Sequence, residues 1–210
     1  MLDFQLAHAR ARDAVHAALP GGAIVVAGHD IIDVRSCAED RVSYLRRPDL
    51  GRSLNPDDAA LLVPGDADLA IVVGDGLSSI AVEAHGSAII EALLDRLSGW
   101  SVAPIVVARQ ARVAIGDEIG AAMGVKIVVV LIGERPGLSS QDSVSAYITW
   151  NPRRSRRNDE RSCVSNIHPP HGLGYAEAAS KIASICTAAR TRERTGVELN
   201  EVGDVRLTVR

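Results

Sequence analysis

The stretch Ile127-Val128-Val129-Val130-Leu131-Ile132 limits this chain's fold more than any other. Nearly all of it is β-branched, and no polar residue interrupts it. A half-exposed strand would alternate, and an amphipathic helix would show a polar side. A short run that is apolar on both faces reads as a strand covered from both sides, in the middle of a parallel sheet. It stops at Gly133-Glu134-Arg135-Pro136-Gly137-Leu138-Ser139-Ser140, a turn holding two glycines, a proline and an adjacent opposite-charge pair. Ligands of open α/β sheets sit beyond the carboxyl ends of such strands. Chemistry is therefore expected first at 133–140, with Arg112 to Asp117 and Arg161 to His168 converging on it.

The remaining elements follow from periodicity and punctuation. Phe4, Ala7, Ala11, Ala14, Val15 and Ala18 recur at helical spacing, which predicts a helix over 2–19 ended by Pro20-Gly21-Gly22. A short strand is expected at 31–34 and a helix over 39–45, closed ahead of Pro48. Asn55-Pro56-Asp57-Asp58 offers an N-cap, a first-turn proline and first-turn acids, predicting a brief helix over 59–63. Pro64-Gly65-Asp66 then divides a small, mostly helical N-terminal region (1–64) from a main domain (65–210). In the main domain strands are expected at 68–73, 105–107, 127–132 and 147–150. Helices are expected to near Leu97, from Gly116-Asp117 to Gly124, and over 175–194 with Gly196 as the cap. Strand alternating with helix predicts an α/β, Rossmann-like, doubly wound and mostly parallel sheet.

Composition narrows the function classes. Aromatic residues make up only 3%, so the core must come from Val, Ile, Leu and Ala, and stacking on nucleic-acid bases has little to work with. A net charge of −3 gives no basic footprint for nucleic acid. The apolar runs are too short for a bilayer and no signal pattern opens the chain, so the cytoplasm is expected. Cys37, Cys163 and Cys186 lack C-x-x-C spacing. Reduced thiols are the plain reading for Cys37 and Cys186; Cys163, in a polar, turn-like context, stays open.

Several motifs carry two readings. Gly74-x-Gly76-x-x-Ser79, between strand and helix, imitates a dinucleotide fingerprint, yet Asp75 is unwelcome beside a pyrophosphate and the later acid is missing. Its glycines mean close backbone approach, to a ligand or to another strand. Glu134-Arg135 is either a surface ion pair or a fixed acceptor for hydroxyl and amide donors. Arg153, Arg154, Arg156 and Arg157 read as a solvated basic loop diluted by Asp159 and Glu160. His168-Pro169-Pro170-His171 is a turn without a third metal ligand.

Taken together, five segments resemble the small subunit of ethanolamine ammonia-lyase, the adenosylcobalamin-dependent enzyme. They are Tyr44-Leu45-Arg46-Arg47-Pro48-Asp49-Leu50-Gly51-Arg52, Asp75-Gly76-Leu77-Ser78, Arg112-Val113-Ala114-Ile115-Gly116-Asp117-Glu118-Ile119-Gly120, Gly133-Glu134-Arg135-Pro136-Gly137-Leu138 and Arg161-Ser162-Cys163-Val164-Ser165-Asn166-Ile167. Each is weak alone; in this order and spacing, across nearly the whole chain, they are specific. The resemblance implies a Rossmann-like fold and adenosylcobalamin bound at the interface with a separate large subunit. It implies cofactor contacts at Val113, Glu134 and Cys163, and no catalytic residue in this chain.

It further implies radical deamination of ethanolamine to acetaldehyde and ammonia, with the substrate held mainly by the large subunit. A hetero-oligomer of six copies of each chain is expected, in the cytoplasm or within a bacterial microcompartment. The isolated chain is expected to have no lyase activity. Family members usually carry a basic Gly/Arg/Pro-rich segment upstream of the first helix, and this sequence begins beyond it, a departure that bears on affinity for the large subunit. None of the six histidines sits in the Asp-x-His-x-x-Gly pattern that replaces the cofactor's own base, so cobalamin is expected to keep its benzimidazole on cobalt. Two other classes stay open: a nucleotide-dependent oxidoreductase using Gly74–Ser79, and a non-catalytic cobalamin carrier or sensor.

Overall fold

Six strands form one mixed sheet in the computed structural model, which describes residues 12–137, 142–197 and Leu199. In chain order they are β1 (Ile31–Arg35), β2 (Leu69–Gly74), β3 (Ile105–Arg109), β4 (Ile127–Gly133), β5 (Val144–Trp150) and β6 (Ser162–Ile167), arranged β1-β3-β2-β4-β5-β6. The first four in that spatial order are parallel; β5 and β6 are antiparallel. The helices are α1 (Arg41–Arg46), α2 (Pro56–Ala59), α3 (Ser79–Leu94), α4 (Ile115–Met123) and α5 (Tyr175–Arg192). Among the described residues no helix is long and apolar enough to cross a membrane.

The central run behaves as its composition demands. Alternate residues of β4, Val129 and Leu131 against Val128 and Val130, enter two separate cores on opposite faces of the sheet. One core is closed by α3 and α5, the other by α4 with Leu54 and Leu62. Such burial contributes about 1.5–3 kcal/mol per large side chain. The helix α4 lies close on β4 because Gly116 and Gly120 face it. A Cβ on Gly116 would stand 2.2 Å from Val130 Cγ2.

The mixed sheet corrects the expectation of a Rossmann-like, doubly wound arrangement. Alternation of strand and helix stops after β4. A parallel return needs a crossover of a dozen or more residues, usually a helix. Among the described residues, 134–143 holds no helix, and 151–161 holds only a 3-10 turn at Asn158–Glu160. The chain therefore doubles back twice, pairing Ile127 with Trp150 and Tyr147 with Cys163. The strand β6, read from sequence as a polar turn, escapes periodicity because its burial does not alternate.

Local signals fared better. As expected, Asn55 caps α2 by accepting from Asp57 N with Pro56 at the first position; Asp40, which the sequence reading did not name, caps α1 by accepting from Ser43 N. The brief helix α2 lies at Pro56–Ala59, ahead of the expected 59–63 and sharing only Ala59 with it. Gly124 ends α4 in the left-handed region, as its position predicts. For α5 the left-handed residue is Glu193, three residues before the expected Gly196. Residues 12–16 are helical and 17–19 are not, so the helix expected over 2–19 ends earlier than predicted; its residues 2–11 lie outside the described residues.

The turn after β2 and the end of β4 touch backbone to backbone. Leu77 N donates to Gly133 O at 3.0 Å. A Cβ on Gly133 would stand 2.0 Å from Ser78 O, and one on Gly76, whose φ is +56, 2.2 Å from Gly133 O. Gly133→Ala is expected to cost about 1–3 kcal/mol or more, because backbone cannot yield as a side chain end can. Gly65→Ala, with nothing within 4 Å of the new methyl, is expected to change stability by less than about 0.5 kcal/mol. Urea unfolding of both variants checks this, and equal midpoints would contradict it.

Candidate functional site

A groove of 410 Å³ opens at the carboxyl ends of β2, β3 and β4. Its walls come from the turn after β2 (Gly76, Leu77), the loop after β3 (Arg112, Val113) and the end of β4 (Ile132 to Arg135). Tyr44 of α1 closes one side, and Ser145 and Tyr147 of β5 supply the floor. Those two residues lie on the face opposite Ala146 and Ile148, which are buried against α3 and α5. On the groove's side, α4 packs on β2 and β4, leaving β5 and β6 largely bare of described helices.

The glycines of Gly74-x-Gly76-x-x-Ser79 serve this architecture. They let the turn press against Gly133, and Asp75 points inward. Its carboxylate accepts from Gln110 N at 3.0 Å and Ala111 N at 2.9 Å and pairs with Arg41 at 3.3 Å. Burial pushes its pKa up against those donors. The turn binds its own neighbours, which weakens the dinucleotide reading.

Val113 and Glu134 both line the groove. Ser145 Oγ donates to Glu134 Oε1, and Glu134 N donates to Ser143 O at 2.9 Å, so the carboxylate is held at a defined place. Cys163 stands beside the groove rather than in its wall, opposite Tyr147 across the β5–β6 pair. Burial of the sulfur raises its thiol pKa, opposed by the Tyr147 and Ser145 hydroxyls. Tyr147 is pushed up to about 12, mainly by burial and then by Cys163. With both values raised, the Tyr147 hydroxyl and the Cys163 thiol keep their protons at neutral pH.

Of the three stretches expected to converge, two meet in the groove: Arg112–Val113 and Glu134–Arg135 line it together, whereas no residue of 161–168 does. The third stretch joins the first away from the groove, where Arg161 Nη2 donates to Asp117 Oδ2. That ion pair is buried on both sides, at 2% and 3% side-chain exposure, and leaves Asp117 Oδ1 and Arg161 Nε without partners among the described residues. Leu138 to Ser140, the far end of the expected turn, fall outside the described residues. Of the arginine run, Arg154 pairs with Glu118 and Arg157 with Asp159, while Arg156 also donates to Trp150 O and Asn151 O.

Sequence reasoning did not single out Ser145, Tyr147 or the platform under Arg112. Ser145 and Tyr147 share a face at a spacing of two, but the strand was expected to begin only at 147. An earlier start would have exposed them.

Known proteins share this sequence along its length. The family described as ethanolamine ammonia-lyase light chain (EutC) matches residues 1–200. The ethanolamine ammonia-lyase small subunit of Ralstonia nicotianae is 45% identical, covering 98% of this chain and 80% of its own length. That of Azotobacter vinelandii is 48% identical, with 97% and 80% covered. That of Rhodopseudomonas palustris is 50% identical, with 96% and 80% covered.

The buried Asp117 gives a pH signature. Burial lifts its carboxyl from 3.8 to about 6, despite the opposing pull of Arg161. A raised folded value means the folded state holds the proton more tightly. The contribution is fully present below the unfolded value of 3.8 and is lost as pH rises through about 6. The stability difference between wild type and Asp117→Asn should therefore fall over that window and flatten above it. Urea unfolding at several pH values reads it directly; a difference that rises with pH would contradict the assignment.

Proposed function

Because the chain belongs to the ethanolamine ammonia-lyase light-chain family, we propose that it serves as that lyase's small subunit and holds adenosylcobalamin in the groove, at an interface with a large subunit. The observation that carries this is the meeting of Val113 and Glu134 in one groove beyond the parallel strand ends, with Cys163 beside its floor. Such strand ends are where open α/β sheets take ligands.

The residues present fit the cofactor. A cavity of 410 Å³ accepts an edge of a corrin, not the whole macrocycle with its nucleotide tail. The remainder then needs a second surface, which the large subunit supplies. Leu77, Val113 and Ile132 offer apolar contact to the ring, while Glu134, Ser145 and Tyr147 offer acceptors and donors to its peripheral amides. The bound cofactor supplies a cobalt–carbon bond whose homolysis starts radical deamination of ethanolamine to acetaldehyde and ammonia. This chain binds, orients and shields; the amino alcohol sits mainly on the large subunit, and no catalytic residue is assigned here. A hetero-oligomer with six copies of each chain, in the cytoplasm or a bacterial microcompartment, completes the proposal.

Spectrophotometric titration of the chain together with its large subunit tests the reading. An absorbance change with adenosylcobalamin and deamination of ethanolamine support it; a response to NADH alone overturns it. Glu134→Ala is expected to raise the dissociation constant about ten- to hundredfold, from loss of roughly 1.5–3 kcal/mol in charge-assisted hydrogen bonds. Its unfolding free energy should change by about 1 kcal/mol or less, because the carboxylate is half-exposed and solvent screens its bond to Ser145. An equal loss of stability and binding would make the residue structural.

None of the described histidines lines the groove. His85 is engaged by Tyr175 Oη at 2.8 Å and Asp142 at 3.3 Å, and His168 by Asn166 at 2.8 Å. The cofactor should keep its benzimidazole on cobalt. Electron paramagnetic resonance of bound cob(II)alamin carrying nitrogen-15 in that base should change superhyperfine triplets to doublets. Triplets that persist would mean a protein nitrogen is the ligand.

A further inference from the structure

Among the described residues, Arg112 is an arginine held in place without an acid. Its backbone N–H donates to Gly51 O at 2.7 Å, and its guanidinium lies 4.4 Å from the centroid of the Tyr44 ring. That ring is a fixed platform, fully buried, with its hydroxyl donating to Ala111 O at 2.9 Å. Gly51 is what permits the stack, since a Cβ there would stand 2.8 Å from the Tyr44 ring and 3.0 Å from Arg112 Cγ.

The other face of the same ring carries Arg41 at 4.7 Å, and Arg41 has a counter-charge in Asp75 at 3.3 Å. Arg112 has none among the described residues, and its buried Nε finds no acceptor. An unpaired buried donor is costly in a finished site. A pre-positioned guanidinium fork matches carboxylate or phosphate oxygens.

A second observation points the same way. The nine-residue helix α4 starts just after Arg112 and Val113, and Ala114 gives its N-terminus no side-chain cap. The positive end of its dipole adds to the guanidinium's field. The acids of its first turn are engaged elsewhere, Asp117 by Arg161 and Glu118 by Leu54 N and Arg154.

We propose that Arg112 anchors an oxyanion subsite in the groove, and that its occupant is the phosphodiester of the cofactor's nucleotide loop. This rests on the cobalamin reading above. Within cobalamin the phosphodiester is the anionic peripheral group, whereas the amide side chains are neutral. An arginine without an acid selects the former.

Adenosylcobinamide, which lacks the nucleotide loop, separates the two kinds of acceptor. Titrations use the full chain with its large subunit, read by absorbance. Arg112→Gln should raise the dissociation constant for adenosylcobalamin about ten- to hundredfold. It should leave that for adenosylcobinamide within about twofold. Arg112→Lys, which keeps the charge but not the fork, should recover part of the loss for adenosylcobalamin. Equal losses for both corrinoids in a variant that melts like wild type would place Arg112 against the corrin and overturn the proposal. Should the glutamine variant fail to fold, the lysine variant decides: equal losses overturn the proposal, a loss confined to adenosylcobalamin supports it. Wild-type protein that binds neither corrinoid would overturn the cobalamin reading itself, and this proposal with it.

Discussion

Backbone meeting backbone at Gly76 and Gly133 is the contact on which the functional end of the molecule depends. With no side chain on either residue, the turn after β2 can donate from Leu77 N to Gly133 O. Asp75 is then carried inward to collect the two amides of the loop after β3 and the guanidinium of Arg41. One tight approach thus ties β2, β3, β4 and α1 together. A hydrogen-bonded carboxylate stands where a surface loop would otherwise be free to move. Glu134 and Val113 face each other across the groove because the strands that carry them end at a shared, braced rim.

The rim is parallel and the floor antiparallel, and the two halves do different work. The strands β2, β3 and β4, buried almost throughout, give a rigid frame with little exposed surface of their own. The meander of β5 and β6 needs helices on one face only, where Ala146, Ile148 and Val164 meet α3 and α5. Its other face carries hydroxyls and a thiol, groups that can be satisfied by water or by a ligand. Ser145 Oγ, for example, donates to Glu134 Oε1 on that face.

Legibility in the sequence followed the range of the physics involved. The cap at Asn55 and the closing Gly124 are decided by neighbours in the chain, and they were readable. The apolar runs of β2 and β4 announced two covered faces, and they were readable too. The direction of β5 depends on what the connection lacks, a crossover helix, and the mere presence of a strand signal at Tyr147 does not report it. The strand β6 was hidden by its exposed serines and Cys163, which suit a turn as well as an edge strand. At the groove, Glu134 stood out because a strand end is a privileged place. Arg112 was named only as the start of a stretch expected to converge on the site; its own distinction is a missing partner, and a missing partner can be seen only once every neighbour is known.

The groove beside β5 makes the chain's persistence a matter of mass action. Anything that occupies it binds the folded form and not the unfolded one, adding RT ln(1 + [L]/Kd) to stability. Marginal domains have only about 5–15 kcal/mol to lose. The melting temperature of such a chain is then a property of its surroundings, set by how much occupant is present and not by the sequence alone.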